Sequence, residues 1–239
     1  MHLQGTGLNV FETILARRSV RSYRDGTLDR KTINTLLEAA VRAPTAVHAE
    51  PWAFVIIQDR QLLERLSECA KPLIAEELRR AGVAPTDQHF ETLPDPDSNL
   101  FYDAGTLILI CARPLGPFVT ADCWLAAENL MLAASAIGLG SCVIGSAVPA
   151  LNIPEVKAEL GIPAEYSAVA PIVVGHPRGE SAMSSRREPF ILAWLPGAGA
   201  LQPAPAAASP DARAAWQPRL RPVPDAARGN AELKTPRRP

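Results

Sequence analysis

The sequence predicts one domain that combines α-helices with β-strands, followed by a C-terminal tail. Stretches with the apolar spacing of helices alternate with short β-branched and aromatic runs that are typical of buried strands. The chain has 239 residues, 47% of them hydrophobic, which is enough for one sizeable core. Residues 197–239 contain eight prolines and twelve alanines, so they bury too little surface to offset their ordering entropy. We therefore expect a folded domain over residues 1–196 and a disordered tail over 197–239.

The first half of the domain contains three expected helices and one strand. Polar residues that can cap helix N-termini are Asn9, Asp29 and Asp59. The first helix covers residues 9–16, and the second ends at Pro44, since the residue before a proline avoids helical geometry. Residues 52–57 form a strand without alternation, which predicts burial on both faces. The proline-rich residues 82–99 are expected to form a mobile loop or lid.

The second half is expected to contain two more long strands around a central helix. The strands are residues 107–111 and 168–174. Between them, Thr120 is expected to cap a helix over residues 121–137 that is apolar nearly all round, as in the centre of a domain. Glu128 lies inside this helix and needs a partner, because an unpaired buried charge is costly. An arginine from across a dimer is one possibility.

Residues 17–23, Arg-Arg-Ser-Val-Arg-Ser-Tyr, are the strongest candidate for a binding site. In an extended chain, Arg17, Ser19 and Arg21 share one face. Two guanidinium groups flanking a hydroxyl suit a phosphate monoester, because the planar fork of arginine matches phosphate oxygens bidentately. The alternative is that Arg17 and Arg18 are solvated charges favoured by the dipole of a helix C-terminus.

Composition argues against several other classes of protein. The net charge is −1 and the isoelectric point about 6.4, which does not favour nucleic acid or a membrane surface as a partner. The four cysteines form no CxxC pair and no metal-ligand spacing with histidine. Residues 1–9 lack a signal-peptide pattern, so we expect a reducing, cytoplasmic location. Neither GxGxxG nor GxxxxGKS is present.

Four separated segments resemble, in order, the motifs of the nitroreductase superfamily of FMN-dependent oxidoreductases. They are residues 17–23, residues 43–54, residues 138–145, and a C-terminal set of Gly175-His176-Pro177 with Arg186-Arg187 and Trp194. This resemblance implies an α+β fold in which helices flank a mixed, mostly antiparallel sheet. It also implies a homodimer with two FMN sites at the subunit interface, and NADH or NADPH as the reductant.

The resemblance also implies roles for individual residues. The phosphate of FMN would be held by Arg17, Ser19 and Arg21, with help from Arg186 or Arg187. The isoalloxazine ring would be bordered by Pro44, Thr45 and Ala46 of the other subunit and by the backbone of Val143, Ile144 and Gly145. Small residues permit such close approach, and a cation, Arg18 or Arg21, would stabilise the reduced flavin near its N1/O2 edge. The flavin carries the chemistry, so no catalytic acid or nucleophile is expected.

The second motif departs from the usual family pattern, which has amides where this chain has His48 and Glu50. His48 can hydrogen-bond near the flavin or protonate and act as a cation, or both residues can merely adjust packing behind the flavin contacts. The implied function is a ping-pong oxidoreductase that passes hydride from NAD(P)H through FMN to an electron-poor acceptor such as a nitroaromatic or quinone. Alternatives are a specialised reaction such as reductive dehalogenation, or a flavin carrier or sensor with little turnover.

Overall fold

The computed structural model describes residues 8–80, 99–179 and 186–195. The chain divides into two units, Met1–Ala182 and Met183–Pro239. In the second unit, the described residues 186–195 contain no helix or strand. The expected tail, residues 197–239, and the expected lid, apart from Asn99, lie outside the described residues. The domain boundary at residue 196 therefore stays a prediction.

A four-stranded antiparallel sheet forms the centre of the first unit. Its strands are β1 (Trp52–Ile57), β2 (Thr106–Ala112), β3 (Gly140–Val143) and β4 (Ser167–Gly175). The spatial order is β1-β2-β4-β3, and each neighbouring pair runs antiparallel. The expected strands are present, and the expectation of a mostly antiparallel sheet flanked by helices is confirmed.

Among the described residues, six α-helices flank this sheet, and two short 3-10 helices lie at Ala46–His48 and Gly145–Ala147. The α-helices are α1 (Val10–Ala16), α2 (Arg30–Ala40), α3 (Arg60–Arg80), α4 (Val119–Ala136), α5 (Val148–Leu151) and α6 (Pro154–Glu159). Asn9 caps α1 in a capping box with Glu12, and Asp29 caps α2, as expected. The expected cap of α4 at Thr120 is wrong, since α4 begins after Phe118, whose side chain makes no capping bond. Within the described ranges, none of the helices has the length and apolar character required to cross a membrane.

The sheet separates two hydrophobic cores. Helices α2 and α4 cover one face, while α3, α5 and α6 cover the other. Strand β2 supplies both cores, because successive side chains point to opposite faces. Leu107 and Leu109 pack with α3, whereas Ile108 and Ile110 pack with α4. All seven residues of β2 are buried, as the uninterrupted apolar run predicted.

Strand β1 is less buried than its composition predicted. Only Ile57 is buried, and the five residues before it are half-buried. The cause is position: β1 pairs with β2 on one side and ends the sheet order on the other. Both faces of β1 nevertheless contact a core, as expected, with Val55 and Ile57 on one side and Trp52, Phe54 and Ile56 on the other. The incomplete burial was not predicted, because an apolar run gives no information on whether a strand is central or at an edge.

Candidate functional site

The basic segment that follows α1 runs extended beside strand β3. Ser19 and Ser141 form a parallel bridge, and the N–H of Val20 donates to the carbonyl of Ser141 at 3.0 Å. Val20 and Tyr23 are buried, whereas Ser19 and Arg21 are exposed. The expected alternation holds from Ser19 to Arg21 and then breaks, because Tyr23 is buried although an extended chain would place it on the face of Ser19 and Arg21.

Two glycines allow this segment to lie directly on the sheet. A Cβ at Gly140 would come within 2.7 Å of Val20 Cγ2, and one at Gly175 would come within 3.0 Å of Tyr23 Cδ1. The hydroxyl of Tyr23 donates to the carbonyl of Val20 at 2.7 Å. Burial raises the pKa of Tyr23 well above its ordinary value, so the phenol stays neutral and keeps this bond.

The other end of the segment is fastened to the chain that leaves β4. The N–H of Arg24 donates to the carbonyl of His176 at 2.8 Å, and the N–H of Arg178 donates to the carbonyl of Ser22 at 2.9 Å. Arg178 Nε also donates to the carbonyl of Tyr23 at 3.0 Å. These bonds join positions more than 150 residues apart in sequence and fix the segment at both ends.

Cys142 follows Ser141, the bridge partner of Ser19, in β3. Burial raises the pKa of its thiol, while the charge of Arg21, a hydrogen bond with Ser19 and the charge of Arg17 oppose that rise. The basic segment thus brings two cations and a hydroxyl to the start of β3, and these are the groups that suit a phosphate monoester.

The two arginines at the start of the segment differ in their surroundings. Arg17 forms an ion pair with Glu128 of α4, with Nε 3.4 Å from Oε1. Glu128 thus has an arginine partner, as expected, but within its own chain. Arg18 Nη1 donates to the carbonyls of Leu15 and, at 2.7 Å, Arg17. The side chain of Arg18 therefore satisfies the C-terminal end of α1, which was the alternative interpretation for this pair.

The second predicted motif forms an outward loop tied to α4 by a buried carboxylate. Pro44 is exposed, and Thr45 and Ala46 are half-buried. The N–H of Ala46 donates to Oδ1 of Asp122 at 3.2 Å. Asp122 is only 4% exposed and lies in the first turn of α4, where the helix dipole favours a negative charge.

Three residues of this loop adopt left-handed backbone conformations. They are Val47 (φ 50°), His48 (φ 55°) and Glu50 (φ 41°). All three are exposed, and Val47 is 92% exposed. Such φ values are rare outside glycine and unfavourable for a β-branched residue, so the surrounding structure must impose them. His48 consequently projects from the fold instead of packing inside it.

The third predicted segment, residues 138–145, contains β3 and ends two residues beyond it at Gly145. The side chain of Ile144 is buried, and its N–H donates to the carbonyl of Pro171 at 2.9 Å. Gly145 is exposed, and a Cβ added there would meet no described atom within 4 Å. Open space beside a fixed backbone is the property that close approach of a planar ring requires.

Two predicted phosphate ligands lie in the second unit, and two residues that support the site were not predicted. Arg186 and Arg187 belong to the second unit and are exposed, so their contact with a phosphate stays a prediction. Sequence reasoning missed the role of Asp122, although an acidic residue in an otherwise apolar helix was already a signal at Glu128. It also missed Arg178, whose contact with Tyr23 depends on the sheet.

An apolar surface remains exposed on α1 and α4, which pack against each other. Its large side chains are Val10, Phe11, Ile14 and Leu15 of α1 with Trp124 and Leu125 of α4. Phe11 is 75% exposed and Leu15 is 72% exposed. These α1 residues face away from this unit's core. Contiguous exposed apolar surface of this kind marks an interaction site.

Comparison with known proteins gives consistent results. A profile of the Nitroreductase family matches residues 14–176. An FMN reductase (NADPH) of Bacillus subtilis is 28% identical over 182 residues, which cover 74% of this chain and 70% of that protein. The iodotyrosine deiodinase of Thermotoga neapolitana is 24% identical over 185 residues, 76% of this chain and 96% of the other. The crystal structure of a nitroreductase with bound FMN from Bacteroides fragilis superposes with a TM-score of 0.64 at 28% identity, covering 79% of this chain and 98% of that one.

Proposed function

Since this chain belongs to the nitroreductase family, we propose that it is an FMN-dependent oxidoreductase that uses NADH or NADPH to reduce an electron-poor acceptor such as a nitroaromatic or a quinone. The flavin assignment is supported by the FMN named in the matched Bacteroides fragilis structure and by the matched FMN reductase. The order of substrates that we propose is ping-pong, with reductant and acceptor using one site in turn.

The position of Arg17, Ser19 and Arg21 on one short extended segment carries this proposal. The segment is bridged to β3 at Ser19 and Ser141, and two cations with a hydroxyl over five residues suit a single phosphate. Ser19 offers a neutral donor, and each arginine offers a fork of donors. The backbone beneath them is fixed by Ser141, so the donors need little rearrangement to bind an anion.

Other residues of the chain fit the remaining parts of FMN. Gly145 has open space beside it, which suits the face of a flavin ring. The guanidinium of Arg18 is engaged by the end of α1, which favours Arg21 as the cation near the N1/O2 edge. When bound, FMN supplies the redox chemistry by accepting hydride from NAD(P)H and passing electrons to the acceptor. The chain's own residues bind and orient it and tune its charge.

We also propose that two copies of this chain form the complete site. The exposed faces of α1 and α4 provide an apolar surface, and residues 44–50 project outward, as a loop that serves a second subunit must. Trp124 lies in this surface, which agrees with an interface position rather than a core position. The four cysteines are unpaired, which supports the proposed cytoplasmic location.

Reductive dehalogenation is a second candidate, favoured by the similarity to the Thermotoga neapolitana deiodinase over 96% of that protein. It uses the same proposed cofactor site and differs in the acceptor. The expected lid, residues 82–99, lies almost wholly outside the described part of the chain. Iodotyrosine therefore belongs beside nitroaromatics and quinones in any acceptor screen.

The proposal is tested by the flavin content of the purified protein. We expect about one FMN per chain in the absorbance spectrum, released by heat and identified by mass, together with NADH or NADPH consumption under air. The double variant Arg17→Ala/Arg21→Ala should fold but lose FMN, whereas Arg30→Ala, at the start of α2, should retain it. Full flavin content in the double variant would refute the phosphate assignment. Flavin without NAD(P)H consumption would favour a carrier or sensor.

A further inference from the structure

Glu128 is a charged residue in helix α4, which is otherwise mostly apolar. From Val119 to Ala136, helix α4 contains two acidic residues and no basic ones. Ala127 precedes Glu128 and Leu130 lies two positions after it, and both are buried in the core that α4 shares with the sheet. The Glu128 side chain is 46% exposed, so it lies where this core meets solvent. A carboxylate in this position is partly removed from water, which costs free energy unless a partner compensates for it.

The partner is one of the three groups assigned to the phosphate. Arg17 Nε lies 3.4 Å from Glu128 Oε1, and the Arg17 side chain is only 22% exposed. The backbone of Arg17 is also fixed, because its N–H donates to the carbonyl of Thr13 at the end of α1. Arg17 is therefore restrained at both its backbone and its guanidinium before any ligand binds.

The ion pair places the Glu128 carboxylate beside Nε of Arg17. A guanidinium carries its donors in a rigid planar fork. A carboxylate beside Nε leaves the terminal edge, with its two Nη atoms, to meet an anion. A free arginine side chain would lose about 2 kcal/mol of rotamer entropy when ordered, so an arginine ordered in advance binds with less penalty.

We propose that Glu128 is a positioning residue that orders Arg17 for the phosphate of FMN, an inference that rests on the proposed function. The opposite role is also conceivable for a carboxylate in this place. If Glu128 only neutralised Arg17, it would compete with the phosphate, and its removal would tighten FMN binding. The two roles therefore predict changes of opposite sign in FMN affinity.

Flavin titrations distinguish these roles. Flavin-depleted protein, prepared from the full chain, is titrated with FMN and with riboflavin, which lacks the phosphate, while flavin fluorescence is followed. Glu128→Ala should weaken FMN binding about two- to fivefold, the range of a partly exposed ion pair, and leave riboflavin binding unchanged. Glu128→Gln keeps an oxygen acceptor and should bind FMN within about twofold of the wild type. Glu38→Ala, an exposed change on α2, is the matched control.

The same titrations contain the results that would overturn the inference. Unchanged or tighter FMN binding by Glu128→Ala would show that the carboxylate does not position Arg17. Equal weakening of FMN and riboflavin would show a general structural effect instead. In an Arg17→Ala background, removal of Glu128 should cause no further loss, and an additional loss would contradict action through Arg17. Equal wild-type affinity for FMN and riboflavin is a different result, since it would refute the phosphate site itself.

Discussion

Replacing Asp122 by alanine should release the outward loop of residues 44–50 while leaving the fold intact. The Asp122 carboxylate is 4% exposed and accepts the N–H of Ala46 at 3.2 Å. A hydrogen bond to a charged group contributes about 1.5–3 kcal/mol. In the same loop, Val47, His48 and Glu50 hold left-handed conformations that cost on the order of 1 kcal/mol each. The anchor and the strain are therefore similar in size, so loss of the anchor should let the loop relax.

Hydrogen exchange measures this local release. A loss of about 2 kcal/mol in the anchor corresponds to roughly 30-fold faster exchange. We expect that acceleration in a peptide covering residues 44–51 of Asp122→Ala, with unchanged protection in the rest of α4. Asp122→Asn keeps an oxygen that can accept from Ala46, so its loop should exchange at close to the wild-type rate.

Two results would refute this reasoning. Wild-type exchange of residues 44–51 in Asp122→Ala would show that the carboxylate does not hold the loop. Equal acceleration in Asp122→Asn would show that charge at the start of α4, not the bond to Ala46, is the determinant. Val47→Asn provides a further check, because asparagine tolerates left-handed geometry. Added to Asp122→Ala, it should restore part of the protection.

Three further predictions concern the ring, the interface and alkaline pH. Gly145→Leu should change the free energy of unfolding by less than about 0.5 kcal/mol, since a Cβ there meets open space. The same variant should weaken FMN binding at least about tenfold in fluorescence titrations, and unchanged affinity would contradict close approach of the ring. Phe11→Glu/Leu15→Glu should give a folded monomer in sedimentation velocity, whereas Leu115→Glu, an exposed change after β2, should not; a dimeric double variant would move the interface elsewhere. Burial raises the pKa of Cys123 from 9.0 to about 12, so the unfolded chain ionises first and the free energy of unfolding falls as pH rises from about 9 to about 12. Urea unfolding of Cys123→Ala should show a shallower loss over that range, and an equal loss would exclude this thiol as a cause.

Local chemistry explains which features could be predicted from the sequence. Asn9 and Asp29 cap their helices because capping depends on a few neighbouring residues. The exposure of Ser19 and Arg21 on either side of buried Val20 follows from the period of an extended chain, whereas the burial of Tyr23 does not. In contrast, the half-burial of β1 depends on its place at the end of the sheet order, which no property of its own residues encodes.

The features of the site that the sequence did not predict depend on contacts between distant segments. Glu128 was expected to need an arginine, but only the packing of α1 beside α4 identifies Arg17 of the same chain as the partner. The bond from Ala46 to Asp122 joins residues 76 positions apart, and the bridge between Ser19 and Ser141 likewise exists only in the folded chain. Motif resemblance indicated the order of the segments along the chain, whereas the contacts that support them could be read only from the fold.

The two glycines beneath the basic segment have a consequence for evolution. Gly140 lies under Val20 and Gly175 lies under Tyr23, each with too little room for a methyl group unless its neighbour moves. A side chain gained at Gly140 would require a shift or a smaller residue at position 20, and one gained at Gly175 would require Tyr23 to move slightly or be replaced by a smaller residue. We therefore expect correlated size changes at these two pairs of positions across divergent sequences. Such paired substitutions would identify chains that keep the basic segment seated even where its arginines have been replaced and the ligand has changed.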